Sequence, residues 1–140
     1  DTFAEFKAEF IDTGKVFYIY QEFPLNQPAL DGALVARCFD GTRFWNFTEL
    51  LYEQQESWLD GDHVTALKQN AKLAGLNEDK FEQCLADEDL ARKITGAMQT
   101  AAQEYGVNAT PTFVFNDGEK KMTGNQPIAS FRETIGDLTQ

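Results

Sequence analysis

The stretch YGVNATPTFVFNDG, Tyr105 to Gly118, decides how this chain is read. Thr112 to Phe115 carries the residues of a β-strand, yet Pro111 stands directly before it. Proline donates no backbone hydrogen bond, so within sheets it keeps to strand starts, edges and bulges. Asn116, Asp117 and Gly118 follow, and these residue types readily take the positive φ angles of a tight hairpin. The stretch therefore predicts a hairpin. Its first strand is opened by a stiff loop, and its second runs from Glu119 to Thr123.

Upstream of the hairpin the pattern is helical. Gly106 closes a helix that Asp87 can cap, with Leu90, Ile94, Met98, Ala101 and Tyr105 as its apolar positions. Asn77 can cap a shorter helix carrying Phe81, Cys84 and Leu85. Asp62 can cap one carrying Val64, Leu67, Ala71 and Ala74. Further back, Leu30, Leu34 and Cys38 recur at helical spacing, and Phe44, Phe47 and Leu51 mark a face running on to Trp58. Near the start, Phe3, Phe6 and Phe10 form one helical stripe that Gly14 ends. Val16 to Phe23 is rich in β-branched and aromatic residues and is stopped by Pro24, which predicts a strand. Downstream, Pro127 suits the first turn of a last helix with Ile128, Phe131, Ile135 and Leu138 on its buried side. The order is helix, strand, a block of helices, hairpin, helix. A helical crossover between the strand and the hairpin predicts parallel strands, hence an α/β sheet with a helical insertion.

The 140 residues suit one core. The chain is 42% hydrophobic and 25% charged, with twelve phenylalanines, the composition of an ordinary globular protein. A formal charge of −11 argues against a nucleic-acid surface and against attraction to anionic membranes. No apolar run approaches the length of a membrane span. The first residues, DTFAEFKAEF, are acidic and amphipathic and do not read as a signal peptide.

Two cysteines, Cys38 and Cys84, lie on predicted apolar helix faces. Two buried thiols and one disulfide between helices both satisfy the pattern. Their separation rules out a redox C-x-x-C pair. One histidine and no second cysteine pair leave no zinc site, and no metal or cofactor is expected. His63 is expected to be an exposed helix-end residue. Asp87, Glu88 and Asp89 complement a helix N-terminus.

Taken together, GKVFYIYQEFPL (Gly14 to Leu25), ALVARCF (Ala33 to Phe39), FWNFTELLYEQQESW (Phe44 to Trp58), NAKLAGLNEDKFEQCL (Asn70 to Leu85) and YGVNATPTFVFNDG give the chain a family resemblance. It resembles the DsbA-like thiol–disulfide oxidoreductases of the thioredoxin superfamily, over essentially its whole length. The resemblance implies a thioredoxin-like fold in two pieces, residues 1–27 and 106–140, interrupted by an all-helical part with its bridging helix, residues 28–105. It implies that Thr110 and Pro111 form a cis-proline loop that docks peptide substrates. It also implies a structural disulfide between Cys38 and Cys84, a periplasmic or otherwise secreted location, and cysteine-containing proteins or peptides, with a redox partner protein, as partners.

The chain departs from that family in one respect. The catalytic C-x-x-C should stand shortly before Asp1, after a strand, and neither is present, so no catalytic residue is assigned within these 140 residues. The resemblance places that strand between Val16–Phe23 and Thr112–Phe115, which would leave a gap on the order of 10 Å. Three outcomes are open: the flanking strands pair directly, another chain fills the gap, or the sequence is an N-terminally truncated fragment. A fragment that self-associates as a homodimer through open sheet edges is the favoured expectation. Other readings are a glutathione-dependent transferase or isomerase of the same superfamily, and a non-catalytic peptide-binding module using Thr110 and Pro111.

Overall fold

The computed structural model describes all residues, Asp1–Gln140. Eight α-helices and one hairpin form two compact units, residues 1–21 with 99–140, and residues 22–98.

In the first unit, α1 (Thr2–Phe6) runs on into a π-helical turn, Lys7–Ile11. Asp1 caps it by accepting from the Phe3 N–H at 3.1 Å. The hairpin comprises β1 (Thr112–Phe115) and β2 (Lys120–Thr123), antiparallel with Thr112 opposite Thr123. Asn116, Asp117 and Gly118 between them all take positive φ, as that tripeptide predicts. Pro127 caps α8 (Ile128–Leu138), one residue earlier than its expected place inside the first turn. Phe6, Phe10, Phe131 and Ile135 are buried together, with Val16, Tyr18, Phe113, Phe115 and Met122 packed against them. The Phe131 ring lies 5.1 Å from that of Phe6 and 4.8 Å from that of Phe113. At the surface, Arg132 grips the Glu9 carboxylate through Nε and Nη2 at 2.7–3.0 Å. These hydrogen bonds hold the Glu9 carboxyl below its ordinary pKa.

The strand expected over Val16–Phe23 does not form. Its side chains nevertheless alternate: Val16 and Tyr18 face the core, while Phe17 is 90% exposed and Ile19 is 74% exposed. A strand, however, is defined by a ladder, and the only ladder in the sheet joins β1 to β2. The segment is extended backbone that does not pair with β1, so neither the parallel relation nor direct closure of the flanking strands occurs.

The second unit holds α2 (Gln27–Ala36), α3 (Gly41–Glu53), α4 (Gln55–Leu59), α5 (His63–Leu73), α6 (Glu78–Leu85) and the first part of α7 (Glu88–Tyr105). Asn26, Asp62, Asn77 and Asp87 each accept a backbone N–H three residues on, satisfying donors that a helix start leaves open. Helix α3 breaks at Gln54, where φ is −106° and ψ is 23°, so the face expected to run on to Trp58 is carried by two helices. Trp58 is nevertheless buried, and its indole donates to the Leu51 carbonyl at 2.7 Å. Gly32 makes that possible. A Cβ there would stand 3.1 Å from the Trp58 ring and 3.4 Å from Leu51, so any larger residue would press on the ring and force it to shift by a few tenths of an ångström.

Candidate functional site

Pro111 sits where the first unit turns from helix to hairpin. Gly106, at φ 63°, ends α7, and the buried Val107 donates back to the Ala101 carbonyl at 3.3 Å. Lys121 of β2 reaches across to the carbonyls of Tyr105 and Gly106 at 3.0 and 3.4 Å, which satisfies acceptors at the helix end. The Thr112 hydroxyl donates to the Ala109 carbonyl at 2.7 Å, closing a small turn around Thr110. The Thr110–Pro111 peptide bond is cis. The Pro111 carbonyl accepts from the Gly124 N–H at 2.8 Å, extending the hairpin ladder by one bond.

These contacts fix the loop on both sides and leave its tip open. Thr110 and Pro111 are exposed, and the Thr110 N–H and carbonyl make no hydrogen bond within the chain. An extended peptide could exchange main-chain hydrogen bonds with that residue, as in strand addition.

The cysteines are elsewhere. Cys38 follows the end of α2, Cys84 lies on α6, and a disulfide joins them with Cα atoms 6.1 Å apart. Cys84 is buried and Cys38 half-buried, so this bond lies inside the helical unit. It ties the turn after α2 to α6 across 46 residues. No other cysteine is present.

His63 differs from its expectation as an exposed helix-end residue. Its Nε2 lies 2.7 Å from Oδ2 of the buried Asp31 on α2, whose Oδ1 accepts from Gln27 at 2.8 Å. The partner stands 32 residues earlier, beyond any local sequence signal. A second buried carboxylate, Glu22, accepts from Arg37 Nε, and the Arg37 guanidinium lies over the Phe44 ring at 4.3 Å. No group of three or more His, Cys, Asp or Glu side chains is arranged to hold a metal ion.

Comparison with known proteins bears on this arrangement. A family model described as thioredoxin matches residues 1–137. The chain belongs to the thioredoxin family. Its likeness within that family is to DsbA-type oxidoreductases. The crystal structure of Wolbachia pipientis alpha-DsbA1 superposes with a TM-score of 0.85 at 30% identity, covering 97% of this chain and 74% of that one. A Rickettsia felis protein named "Putative protein-disulfide oxidoreductase" is 28% identical over 135 residues, 95% of this chain and 48% of that protein. A Rickettsia bellii protein of the same name is 27% identical over 135 residues, 95% of this chain and 51% of its own length. The chain spans about half the length of the curated relatives it matches. The thioredoxin-like fold and the DsbA-like character implied by the sequence are thereby established.

A cross-link over this loop restrains the unfolded chain and should contribute up to about 4 kcal/mol in the chain-entropy model. Denaturant unfolding with and without a thiol reductant measures it. Reduction is expected to lower the midpoint and loosen the helical unit, and an unchanged midpoint would contradict a structural role.

Proposed function

We propose that this chain carries the substrate-docking side of a protein thiol–disulfide oxidoreductase, and that Thr110 and Pro111 are its contact with substrate. The observation that carries the reading is the Thr110 backbone, exposed and without a hydrogen bond inside the chain, held at the head of the hairpin by flanking contacts. The ring of Pro111 stiffens that loop, so little freedom is lost when a peptide docks.

In the exchange itself, a substrate thiolate attacks one sulfur of an oxidised cysteine pair, giving a mixed disulfide and a released thiolate. A second substrate thiolate then attacks the substrate sulfur of that bond. Two electrons pass from substrate to cysteine pair, and the substrate leaves with its own disulfide. The reactive pair must be accessible, with one thiolate stabilised by its surroundings. Cys38 and Cys84 do not meet those needs inside the helical unit, and residues 1–140 hold no C-x-x-C. Catalysis therefore requires a cysteine pair from outside these residues, and the chain alone is inactive. The absence of a resident nucleophile also favours a second reading, a peptide-binding module that uses the same loop without catalysis. The natural partners are cysteine-containing polypeptides in an oxidising compartment such as the periplasm. The helices include none long and apolar enough to cross a membrane.

Titrating the labelled chain with an extended, cysteine-free peptide while following backbone amides tests the docking site. The Thr110 amide is expected to respond, and Pro111→Ala should weaken binding about threefold, through the loop freedom that the ring had removed. Binding that ignores Pro111→Ala would refute the site. In an insulin-reduction assay the chain should add nothing to the reductant's background rate, and turnover above background would contradict the inactive reading.

Phe17 and Ile19 project from one side of a segment that joins no ladder. We infer that this side mediates self-association. Light scattering after size exclusion should show a dimer that Phe17→Ser weakens, whereas a monomer at every concentration would contradict it.

A further inference from the structure

Extended backbone sends the N–H and C=O of one residue to one edge and those of the next residue to the other. Over residues 16–20 the two edges differ. On one, the Val16 N–H donates to the Phe10 carbonyl at 2.9 Å, within the same chain. On the other, neither the N–H nor the C=O of Phe17 or Ile19 takes part in a hydrogen bond. The side chains of these two residues are also the most open on the segment, at 90% and 74% exposure. One edge thus offers two unpaired donors, two unpaired acceptors and two apolar side chains that share a face. Natural sheet edges are blunted by charges or prolines, and residues 16–21, VFYIYQ, contain neither.

We propose that this edge pairs with the same edge of a second copy, antiparallel, with Phe17 of each chain opposite Ile19 of the other. The inference rests on the self-association assigned to this side above, and adds its bonding and its register. Antiparallel residues whose N–H and C=O groups face each other exchange two hydrogen bonds, so the two Phe17–Ile19 pairs make four. The register follows from what the alternatives would place together. Pairing Phe17 with Phe17 sets each Ile19 against Lys15, and pairing Ile19 with Ile19 sets each Phe17 against Gln21. The Phe17–Ile19 register instead sets an aromatic beside a β-branched side chain twice over, a favourable cross-strand pair. It also sets Lys15 opposite Gln21, so no like charges meet. A second copy is the fitting occupant because this register is two-fold symmetric: every group on the edge meets its complement on an identical edge. An interface this small binds weakly, so the paired form is expected at concentrations on the order of 100 μM.

The test follows amide hydrogen exchange by NMR on the whole labelled chain, below and above the concentration at which light scattering reports a dimer. The Phe17 and Ile19 amides are expected to exchange about tenfold more slowly in the dimer. The Val16 amide, bonded to Phe10 within each chain, is the reference and should change little. Ile19→Pro removes one donor from each copy, hence two of the four bonds, and should weaken pairing about tenfold. Ile19→Leu keeps the N–H and the apolar volume and should pair within about threefold of the unaltered chain. The exchange measurement needs no variant, so it decides the matter even where the proline variant does not fold. A dimer whose Phe17 and Ile19 amides exchange as fast as in the monomer would overturn the ladder and leave self-association standing. So would a folded Ile19→Pro chain that pairs as well as the unaltered one. A monomer at every concentration would overturn both.

Discussion

The ring of Phe131 holds the first unit together. It packs against Phe6, near the start of the chain, and edge-on against Phe113 of β1. Full burial of such a side chain is worth about 1.5–3 kcal/mol, more than any exposed ion pair at the rim. A two-stranded hairpin is marginal in water by itself, so the hairpin here depends on this aromatic contact. Where β1 is anchored, Pro111 is anchored too, because its carbonyl continues the same ladder through Gly124. The Glu9–Arg132 and Lys120–Asp137 pairs add specificity of register between elements distant in sequence, and little energy in water.

Local chemistry was legible in the sequence wherever a residue type has one use. Asp62, Asn77 and Asp87 read as caps because their side chains complete a helix start, and each does so. Asn116-Asp117-Gly118 read as a turn because few other residues accept positive φ. The Val16–Phe23 segment shows where such reasoning stops. Its extended backbone does turn Val16 and Tyr18 inward and Phe17 and Ile19 outward. Its assignment as a strand was wrong, because a ladder is a property of two segments and composition describes one. Contacts across long separations were equally invisible: His63 with Asp31, Arg132 with Glu9, and the approach of Gly32 to Trp58. The Cys38–Cys84 disulfide was open on the residues alone and followed only from family resemblance.

The two units divide the chemistry. The helical unit encloses the cross-link, its buried carboxylates and most of its aromatic core. The other presents a loop whose flanks are hydrogen-bonded and whose tip is not. In the reading proposed above, this surface holds a polypeptide without reacting with it. The proposed exchange needs an accessible sulfur pair, and Cys38 and Cys84 are joined to each other within the helical unit.

Adduct trapping tests that division most directly. The oxidised chain is incubated with a peptide bearing one reduced cysteine, quenched in acid and weighed intact. The account predicts an unchanged mass with the Cys38–Cys84 bond in place. A mixed disulfide mapped to Cys38 or Cys84 would contradict it, because one of the two would then be the exchanging residue.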